Sequence, residues 1–314
     1  MGNPIMPTGV RLATEPVFHY TSSGGLIGIL ETKRLRASEA SGMNDLAEVK
    51  SGWGTIKDWL AGQGEPKAID LLQDLAENPR RRPHEVFVLC GFLLPDDANQ
   101  WRLYANGGGG YAIELDPSVH LVAFSEHPAS EDDPTYGLRA RDVAEVSPWL
   151  HVMYDDSEVV AALEEIVASV EDRLLEIEAK REDEYRDHLS EQLEGDTYEA
   201  LATVAHLRKS VGFSGENEVR VVTTFFWGNS NINYRPGAYG VVGYADLTAT
   251  SAGEATSRVL RPRPDGTSPE TTLPVVSIRL GPLLDDGNTK TIESLLRSNG
   301  FRKAPVSTSD VPLR

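Results

Sequence analysis

The 314 residues contain one cysteine, Cys90, which excludes an internal disulfide framework and a cysteine-based zinc ribbon and suits a reducing compartment. No apolar run reaches the roughly 20 residues that a membrane-spanning helix needs, and the mean hydropathy is −0.31. The opening MGNPIMPTGV lacks the basic and apolar stretches of a secretory signal, and Met6 stands where a myristoylation signal needs Ser or Thr. A cytoplasmic location with no membrane partner is therefore expected. Positive charge is scarce: 30 Lys+Arg face 48 Asp+Glu, for a net charge of −18 and a pI near 4.8. Such an excess speaks against a general nucleic-acid coat, because phosphates attract basic surfaces. Several catalytic signatures are also missing. There is no HExxH, no paired Cys/His spacing and no G-x-S-x-G, so no metal site is expected.

The acidity is concentrated. Residues 155–196 carry sixteen acidic side chains against four basic ones, leaving the other 272 residues at only −6. This stretch has no proline and a single glycine, Gly195. Val160, Leu163, Val167, Val170, Leu174 and Ile177 recur every three or four residues, the stripe of an amphipathic helix. The pattern predicts one long helix from about Ser157 to Leu193, a turn at Gly195-Asp196, and a second helix from Thr197 to Lys209. Its acidic face reads first as solvated and second as a mount for a basic or helical partner.

Elsewhere the pattern changes to short β-branched and aromatic runs: 86–92, 111–115, 219–226, 240–244 and 275–280. Helices are expected at Leu26–Leu30, entered through Thr21-Ser22-Ser23, at Val49–Trp59, and at Thr289–Ser298 before Asn299-Gly300. The expected fold is one α+β domain over 1–314 with a mixed or antiparallel split sheet. An acidic helical hairpin is inserted over 155–209, and 252–273 form a flexible loop.

Four patches carry candidate chemistry. Phe18-His19-Tyr20-Thr21-Ser22 ends a strand and opens a helix, which places an imidazole and a hydroxyl at a rim able to bond sugar hydroxyls or an amide. A hydrogen-bonded surface histidine is the plain alternative. Trp101-Arg102-Leu103-Tyr104 sets aromatic rings beside an arginine, suited to stacking on a planar ring, or simply to core packing. It precedes Gly107-Gly108-Gly109-Gly110, which no Lys-Ser/Thr follows. A hairpin turn explains those glycines better than a phosphate cradle, although glycine also permits close backbone approach to a ligand. Gly215-Glu216-Asn217-Glu218-Val219-Arg220 enters a strand with two carboxylates spaced to share a face, or forms an exposed edge with Arg220 as counter-charge. Met43-Asn44-Asp45, with Glu48, reads most simply as a helix cap.

Taken in order, these patches resemble the bacterial domain-of-unknown-function family 2971. The likeness rests on His19-Tyr20-Thr21-Ser22, Met43-Asn44-Asp45, Trp101, Tyr104 and Gly110. It continues through Phe213, Glu216-x-Glu218-x-Arg220, Tyr234-Arg235-Pro236-Gly237, Ile278-Arg279-Leu280-Gly281-Pro282, Ser309, Pro312 and Arg314. The opening is also similar to the His-x-Thr start of ADP-ribosyltransferases, whose order is His, aromatic, late Glu. No second-strand Ser-Thr-Ser is evident, and the hairpin stretches the Tyr104-to-Glu218 spacing. The resemblance implies an ADP-ribosyltransferase-like split sheet and NAD as substrate, with a protein or nucleic-acid acceptor and a toxin or anti-phage defence role. Glu218 would stabilise the oxocarbenium-like ribose and Glu216 would orient or deprotonate the acceptor. His19 and Thr21 would hold a ribose and the amide, Tyr104 or Tyr111 would stack on nicotinamide, and Arg102 would pair with the pyrophosphate. The alternative is a non-catalytic module that senses a nucleotide or a protein.

Overall fold

The computed structural model describes residues 9–40, 46–64, 67–78, 85–127, 143–180, 183–225, 231–237, 240–253, 256, 258–263 and 265–312. Met6, Met43-Asn44-Asp45 and Arg314, named above, lie outside them. In chain order the first elements are β1 (Val17–Thr21), α1 (Ser23–Thr32), β2 (Leu35–Glu39), α2 (Leu46–Ala61), α3 (Lys67–Glu77) and β3 (Glu85–Phe92). Next come α4 (Ala98–Tyr104), β4 (Tyr111–Leu115), β5 (Val122–Phe124), β6 (Ala144–Val146), β7 (Leu150–His151), α5 (Asp156–Glu178) and α6 (Asp183–Leu207). The remainder are β8 (Glu218–Phe225), β9 (Asn233–Gly237), β10 (Gly240–Thr250), β11 (Thr271–Thr272), β12 (Val275–Leu280), α7 (Gly287–Ser298) and β13 (Val306–Thr308). The chain is thus mixed α+β, and it divides into two compact units. One holds residues up to 11, 40–86 and 151–214; the other holds 12–39, 87–150 and 215–314.

The first unit is helical. Asp155 opens α5 with a capping box, its side chain taking the Ser157 N–H at 2.8 Å while Glu158 reaches back to the Asp155 N–H at 3.3 Å. Of the predicted stripe on α5, Leu163, Val170 and Ile177 are buried while Val160, Val167 and Leu174 are half-buried, and Val159 and Ile166 beside it complete the buried face. The hairpin break is the correction. Residues 183–207 form one helix straight through Gly195-Asp196, and the interruption comes earlier, just after Ile177, where the stripe ends. Gly195 is buried, and Asp196 is held by Arg173 at 2.7 Å, so these residues brace α6 against α5 and do not turn the chain. The acidic face is not all solvated either. Glu171 accepts the Ala68 N–H at 2.6 Å, satisfying a first-turn donor of α3, and Glu165 accepts the Gly9 N–H at 2.6 Å.

The second unit is the sheet. β1 pairs antiparallel with β4, and β4 with β12, while β12 and β13 run parallel, so the sheet is mixed. On another branch β2 pairs with β10, which also takes β5, β9 and β11. β3 joins the branches by pairing with β1, β2 and β8. A strand has two edges, so two of these three partners share one. The main core gathers Val17, Leu35, Phe87, Leu89, Ile113, Val219, Val221, Leu247 and Ile278 beneath Leu26 and Leu30 of α1 and Ile292 and Leu296 of α7. A second cluster on the opposite face of β1 holds Phe18, Tyr20, Phe92, Trp101, Ala105 and Ala112. Because side chains alternate along a strand, β1 serves both clusters.

Candidate functional site

Ser22 caps α1, its hydroxyl taking the Gly25 N–H at 3.2 Å. The strand before it places His19 opposite Ile113 and Thr21 opposite Tyr111. The His19 Nδ1 lies 3.1 Å from the Cys90 carbonyl. A carbonyl only accepts, so Nδ1 carries the proton and the neutral ring presents a lone pair at Nε2. Burial pulls the His19 pKa below its ordinary value, against the opposing pull of that carbonyl. Half-buried His19, half-buried Thr21 and exposed Ser22 therefore form a rim whose fixed acceptor and hydroxyls suit sugar or amide groups.

The remaining predicted residues are distributed differently. On β1, His19 alternates with Phe18 and Tyr20, which belong to the second cluster with Trp101. Tyr104 packs against Phe92 of that cluster, the rings tilted by 37° with centroids 5.0 Å apart, so it lies with the face of β1 opposite His19. It is 42 % exposed, and Arg102 beside it on α4 is exposed as well. Tyr111 is 5 % exposed and part of the main core, which corrects its assignment as a stacking platform: its ring is already packed.

The Glu-x-Glu reading needs a second correction. Glu216 closes a 3-10 turn at Val211–Glu216, and Asn217 follows with φ +47° before β8 begins at Glu218. The extended alternation that would place both carboxylates on one face is absent there, because the two residues are not on one strand. Glu218 and Arg220 do share a face of β8, opposite the core residues Val219 and Val221. They form a bidentate pair, Nε to Oε1 at 2.7 Å and Nη2 to Oε2 at 3.1 Å, with side chains 3 % and 5 % exposed.

The glycine run has a packing role. A Cβ on Gly110 would sit 2.3 Å from the Thr21 carbonyl oxygen, and one on Gly281 would sit 2.3 Å from that of Gly108. The Gly281 N–H donates to the Gly110 carbonyl at 2.9 Å and the Leu283 N–H to that of Gly108 at 3.1 Å. Bare backbone is what lets the end of β1, the glycine loop and the exit of β12 cross.

Residues 100–221 match a family model described as a protein of unknown function, DUF2971. This segment covers Trp101, Tyr104, Gly110, Phe213, Glu216, Glu218 and Arg220, and it supports the resemblance to that family over less than half of the chain. No curated protein and no solved structure matches the chain.

Asp96 was not singled out by sequence reasoning. Its carboxylate accepts from Trp101 Nε1 at 2.6 Å, Ser309 Oγ at 2.5 Å and the Asp310 N–H at 2.8 Å, and Arg279 stands 3.6 Å away. Its neighbour Asp97 caps α4. The one available signal was Asp96-Asp97 just ahead of a helix, a cap pattern that marks Asp97 but not the partners of Asp96. Among the described residues no cluster of three metal-ligating side chains occurs, and no helix is long and apolar enough to cross a membrane.

Proposed function

We propose that the chain is a nucleotide-sensing module built on the β1–α1 rim, one that holds its ligand without cleaving it. The observation that carries this reading is the Glu218–Arg220 pair. The carboxylate an ADP-ribosyltransferase would aim at an anomeric carbon is buried and engaged at both oxygens by a guanidinium. The rim itself keeps what a ribose or carboxamide needs, a fixed acceptor at His19 Nε2 beside Thr21 and Ser22. NAD or ADP-ribose as the ligand class, and a setting in anti-phage defence, rest on the resemblance alone.

The test is calorimetric titration with NAD and ADP-ribose, alongside chromatography for released nicotinamide. Binding that His19→Ala abolishes, with NAD recovered intact, is the expected result. Nicotinamide release that disappears in a folded Glu218→Gln variant would establish the transferase instead. Absence of binding by either ligand would overturn the sensing reading.

A further inference from the structure

The face of β2 and β10 that carries Arg36 and Asp246, on the opposite side of those strands from the core residues Leu35, Ala37, Ala245 and Leu247, holds side chains that neither the rim nor the Glu218–Arg220 pair uses. Register places Arg36 opposite Asp246 and Ser38 opposite Tyr244. On the other edge of β10, Asn233 lies opposite Tyr244 and Arg235 opposite Val242. The Arg235 side chain reaches across β10 and donates from Nη2 to Ser38 Oγ at 2.9 Å. The Arg36 guanidinium lies over the Tyr244 ring, 4.6 Å from its centroid. Two guanidiniums thus converge on Tyr244 from opposite edges of one strand.

Their surroundings leave them available. Arg36 is exposed and makes no hydrogen bond or ion pair among the described residues, and Arg235 has Ser38 as its sole such partner there. The nearby carboxylates are occupied elsewhere. Buried Asp246 accepts from Asn233 Nδ2 at 3.1 Å and faces Arg34 at 3.8 Å, and exposed Glu126 takes Arg34 at 2.5 Å. Arg34 is further fixed over the Phe124 ring at 3.8 Å. Asp246 attracts Arg36 across the strand pair as well as Arg34, so three guanidiniums face the two carboxylates of Asp246 and Glu126, and the surplus positive charge of the face lies with Arg36 and Arg235.

We propose that this face is a binding site for a free nucleoside diphosphate. A guanidinium held over an aromatic ring can take a second flat ring on its outer side, so the base would add to the Tyr244–Arg36 pair. The second guanidinium, anchored at one nitrogen by Ser38, keeps its other donors for the phosphates. The residues outside 155–196 still carry −6, which opposes a long polyanion more than a small one and favours the free nucleotide over an RNA strand. The inference does not rest on the rim reading, since it uses none of its residues.

Calorimetric titration of the full chain with ADP, adenosine, inorganic pyrophosphate and a 5′-phosphorylated oligoribonucleotide tests it. ADP is expected to bind, with adenosine and pyrophosphate each weaker. Arg36→Gln and Arg235→Gln should each weaken ADP about tenfold or more, the scale of a lost charge-assisted contact. In a His19→Ala background, which removes the rim's contribution, the losses caused by Arg36→Gln and Arg235→Gln should persist, which separates the site from the rim. Arg36 is exposed and Arg235 half-buried, and circular dichroism confirms that both variants fold. Retention of full ADP affinity in both variants would overturn the site. Equal affinity for pyrophosphate would refute the base stack, and tighter binding of the oligonucleotide would refute the free nucleotide as ligand.

Discussion

Removing one member of the Glu218–Arg220 pair should cost far more than removing both. The side chains are 3 % and 5 % exposed and meet through two hydrogen bonds at 2.7 and 3.1 Å. Replacing Arg220 by Met takes the bidentate partner from a carboxylate in a buried site, and replacing Glu218 by Met does the same to the guanidinium. Breaking a buried pair in this way costs about 3–5 kcal/mol, a large share of the roughly 5–15 kcal/mol that holds a typical domain together. In the double variant neither charge is stranded, and its loss should fall short of the summed single losses by about 2 kcal/mol or more. Each residue has further partners, so this coupling, and not either single loss, is the decisive quantity. Equilibrium urea unfolding of the four proteins measures it, with unchanged slopes confirming that the transitions are comparable. Additive losses would refute the view that Glu218 is committed to Arg220.

Two further outcomes follow from the geometry. Gly195→Ala should stabilise the chain by about 0.5–1 kcal/mol in thermal unfolding, because Gly195 lies inside α6 with nothing within 4 Å of an added Cβ. Gly110→Ala should destabilise it by about 1–3 kcal/mol, because the added carbon meets the Thr21 oxygen at 2.3 Å. A reversal of either sign would disprove the corresponding backbone assignment. The pH dependence of stability should carry the signature of His19. Its folded pKa lies below 6.5, so as pH falls the unfolded chain binds this proton first. The stability from the neutral buried ring is complete above 6.5 and drains as pH falls from 6.5 toward the folded value, at no more than about 1.4 kcal/mol per pH unit. His19→Gln should flatten that stretch of the curve, and identical slopes would rule the assignment out.

Much of the architecture is legible in residue order. The β-branched run from Val219 to Phe225 is a strand, and the Leu163–Val170–Ile177 stripe is a buried helix face, because each period matches one backbone geometry. What misled was local chemistry overruled by packing. Gly195-Asp196 looks like a turn, yet the Arg173 partner of Asp196 lies on the preceding helix, a contact no local window reveals. α3 went unread because Ile69, Leu72 and Leu75 make only a short stripe. The two-residue spacing of Glu216 and Glu218 promised a shared face, and one αL residue, Asn217, cancelled it. At the candidate site the spacing did reveal that His19 ends a strand before a capped helix. The tautomer of His19 and the engagement of Glu218 by Arg220 depend on tertiary placement.

The carboxylate of Asp96 also sets a timetable. Ser309 is 213 residues further along the chain, so at about 5–20 residues per second the ribosome supplies it roughly 10–40 s after Asp96. Through that interval the emerging protein has Trp101 within reach of Asp96, but neither Ser309 nor the Asp310 amide. The last strands and the first half of the sheet are therefore fastened together only near the end of synthesis. A chain truncated before residue 309 would keep every strand from β1 to β13 while lacking this closing latch.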